Sequence, residues 1–197
     1  MPDAGRVIAG SARGTRLVAP GEGTRPLADR VKETLFGILA PRLPGARLLD
    51  LFAGSGAAGI EALSRGVASA VLVERDRTAV GVIAENLRRA RFAAPEARVV
   101  RADVLRYLAS GAAEDGPFDV VVVDPPYADT GTLERVLELL GGPEAARILA
   151  PQATVVAKHF WRDAPPEQVG LLASVRARRF GETSLTFYEI DQAGEGR

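Results

Sequence analysis

The decapeptide Asp50-Leu51-Phe52-Ala53-Gly54-Ser55-Gly56-Ala57-Ala58-Gly59 decides the fold of this 197-residue chain. It carries Gly-x-Gly-x-x-Gly directly after an apolar run, which predicts a strand over 47–51, and before a helical pattern over 57–65. Glycines at such a turn let the chain reverse tightly and let a ligand approach the backbone. The stretch therefore predicts the first strand, turn and helix of a ligand-binding α/β domain.

Strand and helix patterns alternate from there towards the carboxyl end. The predicted strands are 47–51, 70–74, 98–101, 119–124 and 154–158. The predicted helices are 57–65, 76–91, 104–110 and 131–140. Val120–Val123 are apolar on both faces, which is typical of a central strand in a parallel sheet. Residues 169–179 and 183–190 alternate around Gly181 and predict a terminal antiparallel hairpin.

The segment before residue 46 has a different character. Two alternating stretches, 6–9 and 15–18, flank Gly10–Gly14 and predict a β-hairpin. A helical pattern follows, with Asp29 as its expected N-cap. We predict a doubly wound, mostly parallel seven-stranded α/β sheet with this small hairpin extension. The expected domains are 1–45 for the extension, 46–191 for the sheet domain and 192–197 for a disordered tail.

Composition narrows the class of protein. Eight basic and four acidic residues within 1–47 make that segment +4, and the remainder is −4. No apolar run approaches the roughly 20 residues that cross a bilayer. With no cysteine and one histidine, we expect neither a disulfide framework nor a metal site. The expectations are therefore a cytoplasmic, monomeric protein without membrane or metal partners, with a basic N-terminal patch.

Carboxylates around the glycine turn separate two ligand classes. Glu74 follows Gly54 by 20 residues and ends the next predicted strand, where it can accept hydrogen bonds from ribose hydroxyls. Asp50 would repel a pyrophosphate but attract the ammonium or sulfonium of S-adenosylmethionine. Asp103 can accept from an adenine amino group or cap the helix over 104–110. The predicted cofactor-binding residues are Asp50, Phe52, Ala53, Gly54, Ser55, Gly56, Glu74, Arg75, Asp103, Val104 and Asp124.

Asp124-Pro125-Pro126-Tyr127 end the fourth predicted strand, and these four are the predicted catalytic residues. By the switch-point rule, this strand end faces the same crevice as the glycine turn. Two prolines fix the backbone and leave carbonyl acceptors, to which the Asp124 carboxylate adds another. Such acceptors suit the two N–H donors of an exocyclic base amine, on whose ring Tyr127 can stack. Positioning and electrostatics would then drive methyl transfer to the amine.

With both motifs placed, the sequence resembles class I methyltransferases that methylate amino groups. It looks most like the RsmD family of bacterial small-subunit rRNA guanine-N2 methyltransferases. The residues that carry this closer match are 6–10, 13–14, 17, 25–26, 29–36, 50–56, 61–66, 124–127, 181 and 187–188. The resemblance implies S-adenosylmethionine as cofactor and guanine N2 at position 966 of 16S rRNA in the small ribosomal subunit as target.

Two positions depart from the family pattern. The family usually has Arg-Pro-Thr where this chain has Arg25-Pro26-Leu27, and often has an acid where Lys158 stands. The first departure could alter a hydroxyl contact near the cofactor. The second weakens any family-based role for the end of that strand.

Arginines near the N-terminus are the expected RNA contacts, because arginine binds phosphate in a bidentate manner. The predicted RNA-binding residues are Arg6, Arg13, Arg16, Arg25, Arg30 and Lys32. By contrast, His159 and Trp161 are expected to be packing residues.

Four other functions remain open from the residues. An adenine-N6 DNA or RNA methyltransferase shares both motifs, although 197 residues leave little room for a target-recognition domain. A protein-glutamine methyltransferase usually has Asn at the position of Asp124. A nucleotide-dependent dehydrogenase has no use for Asp50 or the Pro-Pro segment. A non-catalytic RNA-binding module would not need Asp124 or Tyr127.

Overall fold

The computed structural model describes residues 2–21, 28–126 and 131–191. The chain forms two compact units, Met1–Asp103 and Val104–Arg197. The predicted division at residue 45 therefore differs from the observed one, because the N-terminal hairpin packs into the unit that holds the glycine turn. The predicted tail over 192–197 lies outside the described residues.

The first unit contains a small hairpin and three parallel strands. The hairpin strands are β1 (Asp3–Arg6) and β2 (Arg16–Val18), which pair antiparallel. The parallel strands are β3 (Arg47–Leu51), β4 (Ser69–Glu74) and β5 (Ala97–Arg101), in the order β5-β4-β3. The helices are α1 (Asp29–Leu39), a 3-10 turn (Ala40–Arg42), α2 (Ala57–Ser64) and α3 (Arg77–Ala90).

The second unit contains five strands and four helices. Its strands are β6 (Phe118–Val123), β7 (Leu149–Phe160), β8 (Gln168–Val169), β9 (Leu172–Phe180) and β10 (Thr183–Ile190). They lie in the order β6-β7-β10-β9-β8. Only β6 and β7 run parallel; the other pairs are antiparallel. The helices are α4 (Val104–Ser110), α5 (Ala112–Asp115), α6 (Thr132–Gly141) and α7 (Ala145–Ile148).

This mostly parallel α/β arrangement with antiparallel C-terminal strands confirms the predicted fold class. Outside the N-terminal hairpin, the described residues form eight strands rather than seven, because the two-residue strand β8 adds to the edge. The buried strands have the composition expected of a sheet covered on both faces. Val120, Val121 and Val123 have no exposed surface, and Val122 has 4%.

Two local predictions at the N-terminus are corrected by the structure. The hairpin strands end at Arg6 and begin at Arg16, so the predicted stretches 6–9 and 15–18 are displaced towards the turn. The amides of Ile8 and Ala9 bond to a helix instead of to the partner strand. Asp29 is the first residue of α1 rather than its N-cap, which is Ala28.

Candidate functional site

Three alternate residues of the glycine turn adopt left-handed backbone. Phe52, Gly54 and Gly56 have φ of 64°, 56° and 77°. Such values suit glycine, whereas a non-glycine residue pays a steric penalty that surrounding contacts must offset. Ala53 donates its N–H to the Val73 carbonyl at 3.0 Å, and Gly56 donates to Ala53 at 2.7 Å. The turn is therefore held in a strained, preformed shape at the carboxyl end of β3.

Glu74 joins the end of β4 to the glycine turn. Its Oε2 accepts the Gly54 N–H at 2.9 Å, and its Oε1 accepts the Asp76 N–H at 2.9 Å. The residue is half-buried, and each carboxylate oxygen can accept more than one hydrogen bond. Glu74 therefore holds the turn and keeps acceptor capacity on both oxygens, and its binding of ribose hydroxyls stays a prediction.

Asp50 is buried more deeply than the sequence suggests. Only 2% of its surface is exposed, and its Oδ2 accepts the Gly59 N–H of α2 at 2.9 Å. A carboxylate with so little accessible surface holds the start of α2 in place. The expectation that Asp50 itself faces the ligand is corrected in this respect.

The remaining predicted cofactor residues of the first unit lie around the same turn or on its strand ends. Ser55 is half-buried, and its carbonyl accepts from Asn86 Nδ2 at 2.9 Å. Arg75, directly after β4, and Asp103, two residues after β5, are both exposed. Val104 starts α4 in the second unit and is buried, with 4% exposure, so it offers little surface to a ligand.

The Asp-Pro-Pro segment lies beside a cavity within the second unit. It follows β6 directly, and the cavity has a volume of about 310 Å³. The lining residues are Pro125, Pro126, Gly131, Leu133, Glu134, Lys158, His159, Phe160, Asp163, Ala164 and Pro165. Tyr127, the fourth predicted catalytic residue, lies outside the described residues. The volume is at the lower end of the range for small-ligand sites.

Asp124, which directly precedes the lining residues Pro125 and Pro126, is paired with Lys158 of the cavity lining. The ammonium Nζ donates to Asp124 Oδ1, with side-chain exposures of 15% and 27% for the lysine and the aspartate. Burial raises the pKa of the Asp124 carboxyl above its ordinary value, while the Lys158 ammonium opposes this shift. The ion pair therefore orients the carboxyl group in a partly buried site, and its ammonium favours the ionised form. Sequence reasoning had left Lys158 without a role.

His159 is a packed histidine, as expected. Its Nε2 lies 2.9 Å from Thr186 Oγ1, and its Nδ1 lies 2.8 Å from the Phe160 carbonyl oxygen. With 6% exposure, burial lowers its pKa below the ordinary value. A neutral imidazole whose two nitrogens are both hydrogen-bonded forms part of the cavity wall and is not placed for proton transfer.

The hairpin is anchored on α2 by two buried polar side chains. Glu61 accepts the N–H groups of Ile8 and Ala9 at 2.7 and 3.1 Å. Ser64 Oγ accepts the Ala12 N–H at 2.9 Å and donates to the Ala9 carbonyl at 2.6 Å. These bonds fix the loop that carries Arg13, so its position is set by the helix behind the glycine turn.

Asn86 on α3 links the same hairpin to the glycine turn. Its Oδ1 accepts the Val18 N–H at 2.9 Å, and its Nδ2 donates to the carbonyls of Val18 and Ser55 at 2.8 and 2.9 Å. The side chain is fully buried. Sequence reasoning included Glu61 and Ser64 in the family match but gave them and Asn86 no structural role, because a polar residue at a helical core position gives no signal of its tertiary partner.

The predicted RNA contacts differ in accessibility. Arg13, Arg16, Arg6 and Arg30 are exposed, although Arg6 and Arg16 form ion pairs with Asp29 and Asp3 at 3.4 and 3.7 Å. Arg25 lies outside the described residues.

The structure contradicts the prediction that Lys32 contacts RNA. Its side chain is 0% exposed, and its ammonium donates to the Arg6 carbonyl at 2.5 Å and pairs with Asp29 at 3.4 Å. The buried ammonium group holds β1 against α1, so it is not accessible to RNA.

Among the described residues, no three His, Cys, Asp or Glu side chains converge in a way that could hold a metal ion. In the same parts of the chain, every helix is too short or too polar to cross a membrane.

Comparison with known proteins places the fold. The solved structure of Escherichia coli YhhF superposes with a TM-score of 0.83 at 36% identity, covering 96% of this chain and 99% of that one. SMU.776, solved complexed with SAH, superposes with a TM-score of 0.65 over 81% of this chain and 49% of its own, and at 11% identity shows the fold alone. The fold is that of class I methyltransferases.

Sequence comparison gives the family. Ribosomal RNA small subunit methyltransferase D of Escherichia coli (strain K12) is 38% identical over 191 residues, 96% of this chain and 92% of the relative. The family model described as Conserved hypothetical protein 95 matches residues 5–189. The chain belongs to this family, as its sequence resemblance to the RsmD family predicted.

Proposed function

We propose that the protein transfers a methyl group from S-adenosylmethionine to the exocyclic N2 amine of a guanine in 16S rRNA of the small ribosomal subunit, at position 966 by analogy with the family. The observation that carries the proposal is the Asp124–Lys158 pair at a cavity lined by Pro125 and Pro126. The relative named ribosomal RNA small subunit methyltransferase D supports the class of substrate.

The glycine turn fits this cofactor better than a dinucleotide. Residues 50–59 contain no basic side chain, and the acids Asp50 and Glu74 both hydrogen-bond its backbone. Carboxylates attract a cationic ligand and accept from ribose hydroxyls, whereas they repel a pyrophosphate. S-adenosylmethionine supplies an electrophilic methyl group on a positively charged sulfur when bound. Glu74 would hold its ribose, and the backbone of Ala53–Gly56 would surround it.

Asp124 and the prolines would bind the acceptor amine. An exocyclic amine is a poor nucleophile because its lone pair is delocalised into the ring. If Asp124 accepts one N–H and a proline carbonyl accepts the other, the nitrogen would become more pyramidal, and its lone pair could form the new N–C bond as the sulfur–methyl bond breaks and S-adenosylhomocysteine leaves. One amine proton leaves after transfer, so no strong base is required. Positioning and charge then supply most of the rate enhancement.

Lys158 favours the ionised form of Asp124, which can accept a hydrogen bond from the amine. A protonated Asp124 would offer a donor where an acceptor is needed, and burial favours that protonated form. The ammonium of Lys158 favours the carboxylate and leaves Asp124 Oδ2 for the amine. Lys158 is therefore a positioning residue for Asp124 in this reaction.

The test is transfer of labelled methyl groups to small subunits that lack modification, with naked 16S rRNA and duplex DNA as alternative substrates. We expect label in subunits or rRNA, and at least a hundredfold loss of methyl transfer in Asp124→Ala. Glu74→Gln should instead weaken cofactor binding. Label in DNA alone, or binding of a nicotinamide dinucleotide in place of S-adenosylmethionine, would reject the proposal.

A further inference from the structure

A stack of aromatic and guanidinium side chains lies beside the cavity of the second unit. The guanidinium carbons of Arg179 and Arg162 lie 3.7 and 4.8 Å from the centroid of the Trp161 ring. Phe160, which lines the cavity, has its ring centroid 6.2 Å from that of Trp161, with the planes tilted by 48°. The stack therefore continues the cavity wall outward.

Strand register places this stack at the sheet edge where β6 ends. β6 and β7 run parallel, with Val123 opposite Ala157. Three residues further along β7, Phe160 lies opposite Thr183, which itself lies opposite Phe180. The carboxyl ends of β6, β7 and β9 thus share one edge. A strand of RNA whose target base enters the cavity would pass over this edge.

The positive charge at this edge is available to a ligand. The exposed arginines of this part of the chain are Arg162, Arg176, Arg178 and Arg179. None of the four forms an ion pair with another residue in the ranges that the structure describes. Asp163 and Glu182 are the nearest acids along the chain, and both are exposed. Strand β9 therefore carries arginines but no acidic residue.

Arginines on an edge strand also have a simpler use, because charge on such a strand prevents edge-to-edge aggregation. That use needs no aromatic partner. Here Trp161 orders two guanidinium groups, and Arg179 Nε also donates to the Gly181 carbonyl at 2.9 Å. Ordered guanidinium groups lose less conformational freedom when they bind phosphate.

We propose that Trp161, Arg162 and Arg179 form a platform for the nucleotide next to the target base in single-stranded RNA. The proposal rests on the proposed function, since it assumes an RNA substrate whose target base enters the adjacent cavity. Unpaired bases stack on aromatic rings and on guanidinium planes, and arginine N–H groups bind phosphate oxygens. The platform would hold the flanking nucleotide while the Asp-Pro-Pro segment holds the amine.

The experiment measures binding of a fluorescent hairpin RNA that carries the 16S rRNA target loop, by anisotropy across a salt series. Trp161→Ala should weaken binding about tenfold through lost stacking, and Trp161→Phe should retain most of the affinity. Arg179→Gln should lower the salt slope by about 0.7, the value for one phosphate contact on a single strand. Arg147→Gln, an exposed arginine on α7, is the matched control and should change neither quantity.

The outcomes separate the platform from the proposed function. Failure of the wild-type chain to bind or methylate RNA rejects the proposed function itself. Wild-type binding and methylation, with Trp161→Ala and Arg179→Gln indistinguishable from Arg147→Gln, overturns the platform alone. Equal weakening on a fully duplex RNA would also overturn it, because a duplex offers no unstacked base. Folding of each variant is checked by its urea midpoint.

Discussion

Two glycines of the N-terminal hairpin allow a matched test of how the hairpin is attached. Gly10 and Gly14 have nearly the same backbone, with φ of 87° and 86°. A Cβ on Gly10 would lie 1.7 Å from the Ser64 carbonyl oxygen, whereas a Cβ on Gly14 would meet nothing within 4 Å. Alanine at either position suffers the left-handed strain, but only Gly10→Ala collides with α2.

The expected difference follows from the bonds that the collision breaks. Alanine in left-handed backbone costs about 1–2 kcal/mol at either position. To relieve its clash, Gly10→Ala must move the loop off Ser64 and lose the Ser11 N–H to Ser64 carbonyl bond and both bonds of Ser64 Oγ. At roughly 1 kcal/mol net for each bond, Gly10→Ala should be about 3 kcal/mol less stable than Gly14→Ala.

Urea unfolding of both variants and the wild type gives the free energies of unfolding. Hydrogen exchange at the amides of Ser11 and Ala12 then shows whether the loop has left α2: protection should be lost in Gly10→Ala and kept in Gly14→Ala. Equal destabilisation of the two variants, or continued protection of both amides in Gly10→Ala, would refute the reasoning that close backbone approach fixes the hairpin.

Three further predictions test other contacts of the site. Lys158→Met removes the charge that favours ionised Asp124, so the acid limb of the pH–rate profile should move to higher pH. Lys158→Arg should return the limb to its wild-type position. A limb that does not move in Lys158→Met would contradict the role given to the lysine. Asn86→Leu removes the partner of three half-buried backbone groups and should cost about 2–4 kcal/mol of unfolding free energy and weaken cofactor binding in calorimetry; wild-type affinity for the cofactor would contradict the role of Asn86 in supporting the turn. Glu61→Gln places an amide donor against donors and should lower stability by about 2–3 kcal/mol; a urea midpoint within error of wild type would disprove that.

The sheet was predictable because its signals are local. The strand Arg47–Leu51 begins and ends as predicted, because it is an apolar run before the glycine turn, and Thr183–Ile190 does too, because it alternates after Gly181. Strand β7 runs from Leu149 to Phe160 and so extends beyond the predicted 154–158 at both ends. Pairing with β10 extends its C-terminal end to Phe160, and a partner strand distant in sequence leaves no mark on the segment itself.

The residues of the site could be predicted from the sequence, but the contacts that hold them in place could not. Glycine spacing and the Asp-Pro-Pro segment identify the residues that would bind ligands. The pairing of Lys158 with Asp124 joins residues 34 positions apart, and the anchoring of the hairpin by Glu61 spans more than 50. Lys32 looks like an RNA contact in sequence, because charge alone does not reveal that its ammonium is buried.

Identification of the methylated nucleoside tests the central claim most directly. Small subunits without modification would be incubated with the protein and labelled S-adenosylmethionine, digested to nucleosides and analysed by mass spectrometry. The account predicts N2-methylguanosine at one site, absent when Asp124→Ala replaces the wild type. Label in N6-methyladenosine, or label that persists undiminished in Asp124→Ala, would contradict it.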